Sequence, residues 1–295
     1  MVHVLRLRVK LLVISALTVT NMILLAIVKP KQDPYDLVSF IKASVGWSAR
    51  YPPEEDTHTP AWDKIVVTPA RDVDDISWLA EDLPGWQHAV YYVDRSSAVA
   101  RNDSLRTPIN KGNEAMAYLT YIIDHYHRHI PSIVVFLHSH RNGFWKAWHV
   151  DDPLHNNANT LRHLQLDHVR RQGYVNLRCN WNPGCTEVWE PNPHLTNRTW
   201  DEIFANTTTP FFESSPGKPA ASSQMTADHG DVFSRRVWTS CCAQFAVSRE
   251  QIYLRPLQDY VNIRQWLLET DLEDFLSGRI MEYLWHVIFG QEAIQ

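Results

Sequence analysis

Apolar positions along the chain form three kinds of run, and each kind predicts a different element. Residues 11–28 read LLVISALTVTNMILLAIV without a single charge. A helix of that length rises about 27 Å, close to the hydrocarbon thickness of a thin bilayer. Arg6, Arg8 and Lys10 precede it, Lys29 and Lys31 follow it, and no clear small-x-small cleavage site ends it. A retained single-pass anchor is therefore expected rather than a removed signal peptide. Short β-branched runs predict strands at Ile65–Val67 (closed by Pro69), Ala89–Val93, Ser132–Leu137, Tyr174–Arg178 and Gln244–Val247. The run Ser132–Leu137 is apolar almost throughout and reads as a central parallel strand buried on both faces.

Helical periodicity makes the third kind. Ala115, Tyr118, Leu119, Ile122, Ile123 and Tyr126 repeat at three- and four-residue steps, with Asn113 placed to cap the helix. A second helix is expected from Asn159 to Gln172, stopped by Gly173; another starts at Ser248, and a last one covers Leu272–Phe289. Strands alternating with helices predict one α/β domain with a mostly parallel central sheet flanked by helices. The expected divisions are a tail at 1–10, the transmembrane anchor at 11–28, a proline-containing stalk at 29–61 and an α/β catalytic domain at 62–295.

Composition narrows the function classes. Lys and Arg number 28 against 33 Asp and Glu, a net charge of −5, so the surface as a whole does not suit a polyanion and any such contact needs a local basic patch. Four cysteines are too few for a disulfide scaffold and are not spaced as a zinc ribbon. Cys179 and Cys185 can bridge if the domain is lumenal. The sequons at Asn102, Asn197 and Asn206 hint at a lumenal side, but Lys and Arg flank the span evenly, so its orientation stays open.

Candidate chemistry collects where strands are expected to end. Asp74 and Asp75 follow the first strand; adjacent carboxylates can split into an acid and a base, hold a divalent metal, or simply cap a helix. His138 and His140 close the central strand and face one side in extended geometry. His149, Asp151 and Asp152 follow closely. No recognised ligand spacing is present, so a polar pocket without metal or cofactor is expected. Glu282 and His286 share a helical face, although Arg279 offers Glu282 a structural partner at i−3. Cys241 and Cys242 read as buried thiols rather than nucleophiles. Arg162, His163, Arg170 and Arg171 form either a phosphate-binding face or a solvated one. Tryptophans 145, 148, 181, 189 and 200 form either a stacking wall or core.

The blocks Asn110-Lys-Gly-Asn-Glu, Tyr118–Tyr126, Phe136-Leu-His-Ser-His, Gly173–Cys179, Ala243–Ser248 and Met281–Gly290 resemble a fungal domain family that includes the arginine-containing cyclodipeptide synthases. The resemblance spans roughly residues 62–290. It implies that arginine from arginyl-tRNA is joined to a second aminoacyl group and closed to a cyclo(Arg-Xaa) diketopiperazine, with aminoacyl-tRNAs as partners and no obligate protein partner. Under that reading Asp74, Asp75, His138 and Glu282 are catalytic, and Glu114, His140, Asp151 and Asp152 bind substrate. Arg162, Arg170 and Arg171 meet the tRNA. The family's Asp-Asp-x-x-Glu signature is not matched, since Trp78 and His155 stand where its Glu would be. The rival reading is a type II membrane-anchored glycosyltransferase of the secretory pathway. The anchor, stalk and sequons fit it, and the fold expected is glycosyltransferase-A-like. His-Ser-His replaces the Asp-x-Asp such an enzyme uses to hold a metal–diphosphate.

Overall fold

The computed structural model describes residues 37–46, 56, 58–94, 105–180, 184–185, 199–200, 202–204, 206–207, 237 and 239–293. The chain divides into two units, residues 1–51 and 52–295. In the first, helix α1 (Leu37–Ser44) is the described element. The expected anchor at 11–28 lies outside the described residues, as do Asn102, Trp181, Trp189 and Asn197. Among the described residues no helix is long and apolar enough to cross a membrane.

The second unit takes in residues ahead of its first strand. Lys64 Nζ donates to the Asp56 carbonyl at 3.0 Å, and Arg170 donates to Thr59 Oγ1 at 2.6 Å. From there the elements run β1 (Lys64–Ala70), α2 (Ser77–Asp82), β2 (Gln87–Tyr92), β3 (Leu105–Arg106), α3 (Ala115–His125) and β4 (Ile133–Phe136). They continue with α4 (Asn157–Arg162), α5 (Leu166–Gln172), β5 (Tyr174–Asn176), β6 (Gly184–Cys185), β7 (Thr239–Ser240) and β8 (Phe245–Ser248). The chain then closes with α6 (Arg249–Tyr253), α7 (Leu257–Glu269) and α8 (Asp274–Ile288).

Six strands form one sheet in the order β3-β2-β1-β4-β8-β5, and β6 pairs with β7 apart from it. The pairs β2–β3, β1–β2 and β1–β4 are parallel; β8 runs antiparallel to both β4 and β5. The sheet is thus mostly parallel with one reversed strand. Pro69 does not end β1. Val67 accepts from Leu137 N on the β4 side, and alternate residues face the same neighbour, so the missing N–H of Pro69 points past the end of β4 where no partner is lost.

Helices cover both faces. Val67, Tyr91, Val134, Phe136 and Phe245 pack against α3, α7 and α8, whereas Val66, Val135 and Ala246 pack against α2, α4 and α5. β4, buried at all four positions, is the inner strand its uninterrupted apolar run predicts. Gly173 does stop α5, at φ 77, and Ser248 caps α6 by accepting from Gln251 N. Two expectations fail. Asn113 makes no cap; it sits at φ 54 in a left-handed turn after Gly112 at φ 64, and α3 begins beyond it. The single helix 159–172 is two helices, broken where His163 caps α4 and Gln165 opens α5.

Candidate active site

A cleft of about 340 Å³ opens at the ends of β1 and β4. Pro69, Arg71 and Asp74 wall one side, His138, Ser139 and His140 another, and Asn110, Asn113 and Glu114 a third. This is where an α/β sheet collects ligands, and the volume suits an amino-acid-sized group.

The floor is acidic and buried. The turn Gly112–Asn113 delivers Glu114 inward at the start of α3. Helix α8 crosses close by because residue 278 is glycine: a Cβ there would lie 2.3 Å from Asn113 Nδ2. Arg279 and Glu282 on that helix do not line the cleft; they lie behind it, near enough to act on the charge of Glu114, and Arg279 donates to Glu282 at 2.7 Å. Burial pushes the Glu114 carboxyl up to about 8, with the Glu282 charge adding to the effect. Burial also raises Glu282, and the Arg279 guanidinium opposes it. The structure therefore makes the i−3 ion pair for Glu282, while burial and the neighbouring Glu282 charge favour the protonated form of Glu114.

His138 faces Glu114. Its Nε2 stands 3.8 Å from Glu114 Oε2, and burial lowers the imidazole to about 4. Both groups are neutral, so this is no ion pair. Four polar atoms here are buried without a hydrogen-bond partner: Glu114 Oε1, His138 Nε2, Tyr118 Oη and His149 Nδ1. Buried polar atoms are normally satisfied, and a cluster of unsatisfied ones marks a place made for a ligand. Gln244 ties the histidines together; its Oε1 accepts from His138 N at 2.8 Å and its Nε2 donates to the His149 carbonyl at 3.3 Å. The His138 and His149 rings meet edge to face at 4.8 Å.

The Asp74–Asp75 pair is split. Asp74 faces the cleft, accepting from Arg71 N at 2.9 Å, the Arg71 guanidinium at 3.3 Å and Ser139 Oγ at 3.2 Å. Burial opposes ionisation there, but these bonds hold the carboxyl below the usual range. Asp75 is exposed and accepts from the Ser77 hydroxyl and amide two residues on, a local turn contact; Ile76 holds the N-cap position of α2 and no side chain caps it. Asp151 and Asp152 also lie off the cleft lining. Asp151 accepts from Cys179 N, and Asp152 fixes the turn into α4 by accepting from Leu154 N and Asn156 N. Burial raises Asp152. His140 lines the cleft half-buried, lowered by burial while Asp74 opposes.

The basic face is not one face. Arg162 donates to the Asp82 carbonyl at 2.8 Å and to Asn159, and Arg170 pairs with Asp167 at 2.7 Å. Arg171 is exposed on α5. Of the described tryptophans, Trp145 is 71% exposed and Trp200 is in the core, so these two share no face. Arg178 lies over the Trp148 ring at 5.2 Å. Cys179 is a free, exposed thiol, so the Cys179–Cys185 bridge is not made, whereas Cys241 and Cys242 are bonded to each other. Ser139 and Gln244 escaped the sequence reading. The pattern His-Ser-His carried the serine in plain view, but only the β4–β8 pairing brings Gln244 to it. Among the described residues no group of three or more His, Cys, Asp or Glu is placed to hold a metal ion.

No curated protein and no solved structure gives a significant match to the chain. The family model DUF3431, described as a protein of unknown function, matches residues 65–295, and the chain belongs to that family.

Proposed function

We propose that the protein is a tRNA-dependent aminoacyltransferase that forms an arginine-containing cyclodipeptide. The observation that carries the reading is the buried Glu114 carboxyl, with an unpartnered oxygen on the floor of an amino-acid-sized cleft beside neutral His138. A guanidinium entering the cleft replaces the proton on Glu114 with a charge-assisted, bidentate contact. The carboxylate so formed makes neighbouring His138 more basic, because a negative charge nearby favours imidazolium. His138 Nε2 is then a proton acceptor beside the α-amine that must attack the second ester. The ester bond to tRNA is already activated, so the chemistry needs positioning and a base rather than ATP.

A second reading, an anchored glycosyltransferase, is favoured by the sheet, whose parallel order with one reversed strand between β4 and β5 fits a glycosyltransferase-A-like arrangement. The cleft favours the first, since imidazoles and a serine occupy the strand end that the second class fills with paired carboxylates.

Expression of the full chain in a host lacking such products, followed by a mass-spectrometric search for arginine diketopiperazines, tests the reading. Well-folded protein with no such product overturns it. Protease protection of the catalytic domain in intact microsomes, together with a glycosidase-sensitive mass, would move the balance to the glycosyltransferase.

A further inference from the structure

We propose that helix α1 lies in the headgroup layer of a membrane with its apolar face against lipid. The inference concerns the first unit alone and stands apart from the proposed chemistry. Leu37, Ile41 and Val45 recur every four residues, which puts them on one side of a helix. Val45 carries the helical pattern past Ser44, since its N–H donates to the Ile41 carbonyl at 3.1 Å. These three side chains are 38%, 40% and 69% exposed, whereas Ala43 is the buried residue of the helix. Three large aliphatic groups thus face outward while a methyl group is covered, the reverse of a helix docked on a soluble core.

The chain itself says what covers this face. Residues 11–28 carry no charge, and only the eight residues 29–36 separate them from α1. Eight residues reach at most about 29 Å when fully extended, so a spanning run at 11–28 keeps α1 beside the bilayer. That tether gives α1 a high effective concentration over lipid, and an apolar face too small to bind by itself then suffices. Eight residues of helix rise only about 12 Å, so α1 lies on the bilayer and does not cross it.

Charge fits an anionic surface in part. Lys42 is exposed on the helix, and Lys29 and Lys31 stand in the tether. Asp33 and Asp36 offset some of that charge, so the apolar face supplies most of the attraction. Tyr35 and Trp47 flank the helix in sequence, and such residues favour the membrane–water boundary. A protein partner fits less well: an ordinary interface engages about 20 or more residues a side, and this face offers three exposed aliphatic side chains.

Photocrosslinking tests the inference. The full-length protein is reconstituted into vesicles of phosphatidylcholine and phosphatidylserine that carry a lipid with a diazirine at a shallow acyl position. After irradiation, peptide mass spectrometry maps the lipid adducts. We expect adducts on the peptide carrying Ile41 and Val45 as well as on residues 11–28. Replacing both exposed residues, Ile41→Ser with Val45→Ser, should cut the adducts on that peptide by about tenfold or more, as the loss of two lipid-buried aliphatic groups requires. Those on residues 11–28 should persist, which shows that the variant is still inserted. Adducts confined to 11–28, an unchanged yield in the double variant, or a chain that does not float with the vesicles would each overturn the inference. Protection of Ile41 and Val45 from hydroxyl-radical labelling without any lipid adduct would assign the face to a protein partner and overturn it as well.

Discussion

His138 Nε2 and Glu114 Oε2 stand 3.8 Å apart, too far to share a hydrogen bond and close enough for each to feel the other's charge. They arrive from opposite directions, one from the end of β4 and one from the turn before α3. Burial pushes them to the same electrical state, a protonated carboxyl and an unprotonated imidazole. A cationic ligand converts that neutral pair into a charged one, and most of the account's consequences follow from the conversion.

Binding of a guanidinium should release a proton. Affinity for an arginyl ester analogue is expected to rise with pH up to about 8, where Glu114 ionises unaided, and to level off above it. Glu114→Gln should remove the pH dependence and weaken binding by about 1.5–3 kcal/mol, the worth of a charged hydrogen bond. Isothermal calorimetry in buffers of different ionisation enthalpy measures both effects. Equal affinity for wild type and variant would place the ligand elsewhere.

Stability should depend on pH in two limbs of opposite sign. Glu114 holds its proton more tightly folded than unfolded, so its stabilising protonation is complete at low pH and is lost as pH rises from the ordinary carboxylate range to about 8. His138 and His286, each lowered to about 4 from 6.5, act the other way, and their share is lost as pH falls through that interval. Thermal melts from pH 4 to pH 9 should show a maximum near the top of the histidine interval, and Glu114→Gln should flatten the alkaline limb and steepen the acid one, because the two intervals overlap. An unchanged alkaline limb would mean that Glu114 is ionised in the resting protein.

Gly278 sets the distance between α8 and the cleft floor. A methyl group there meets Asn113 Nδ2 at 2.3 Å and Asn113 Cγ at 2.9 Å. Gly278→Ala should cost about 1–3 kcal/mol of stability, as overpacking does, and should depress activity beyond what the unfolded fraction explains, because Glu282 and Arg279 move with the helix. Denaturant melts paired with a rate measurement separate the two losses; an unperturbed variant would show that the floor tolerates a wider gap.

Arg162 is a structural arginine. It is partly buried and bonds the Asp82 carbonyl and Asn159 Oδ1, so Arg162→Ala should cost about 1–2 kcal/mol. Arg171→Ala, at an exposed position, should stay within about 0.5 kcal/mol of the wild type. Chemical denaturation checks the contrast, and a stability loss at Arg171 equal to that at Arg162 would contradict it.

Much of the fold was legible because burial writes its own pattern. The β4 run and the periodicity of α3 and α8 announce elements pressed against a core, and Gly173 and Ser248 announce where two helices stop and start. The reversal of β8 was not legible: four buried residues read the same in either direction, and a strand some hundred residues downstream of β4 carries no local sign of its neighbour. The site split along the same line. His138, His140, Asp74 and Glu114 sit at strand or helix ends and converge on one cleft. Asp75 and Asp152 share the composition of a catalytic acid but are spent on local backbone amides, and Asp151 on the amide of Cys179, a contact made only by the tertiary fold. His163 and Arg170 looked like one helical face because the break at His163–Gln165 has neither Gly nor Pro to mark it.

The central claim, that an acidic cleft takes arginine from tRNA and closes a diketopiperazine, is most directly tested by reconstitution. Purified protein is given labelled arginyl-tRNA and a mixture of other aminoacyl-tRNAs, and label is followed into small neutral-to-cationic products. Incorporation into a cyclic dipeptide by the wild type, with little or none by Glu114→Gln of equal stability, is the predicted result. Label that stays on tRNA or appears only as free arginine with the folded wild type would contradict the account.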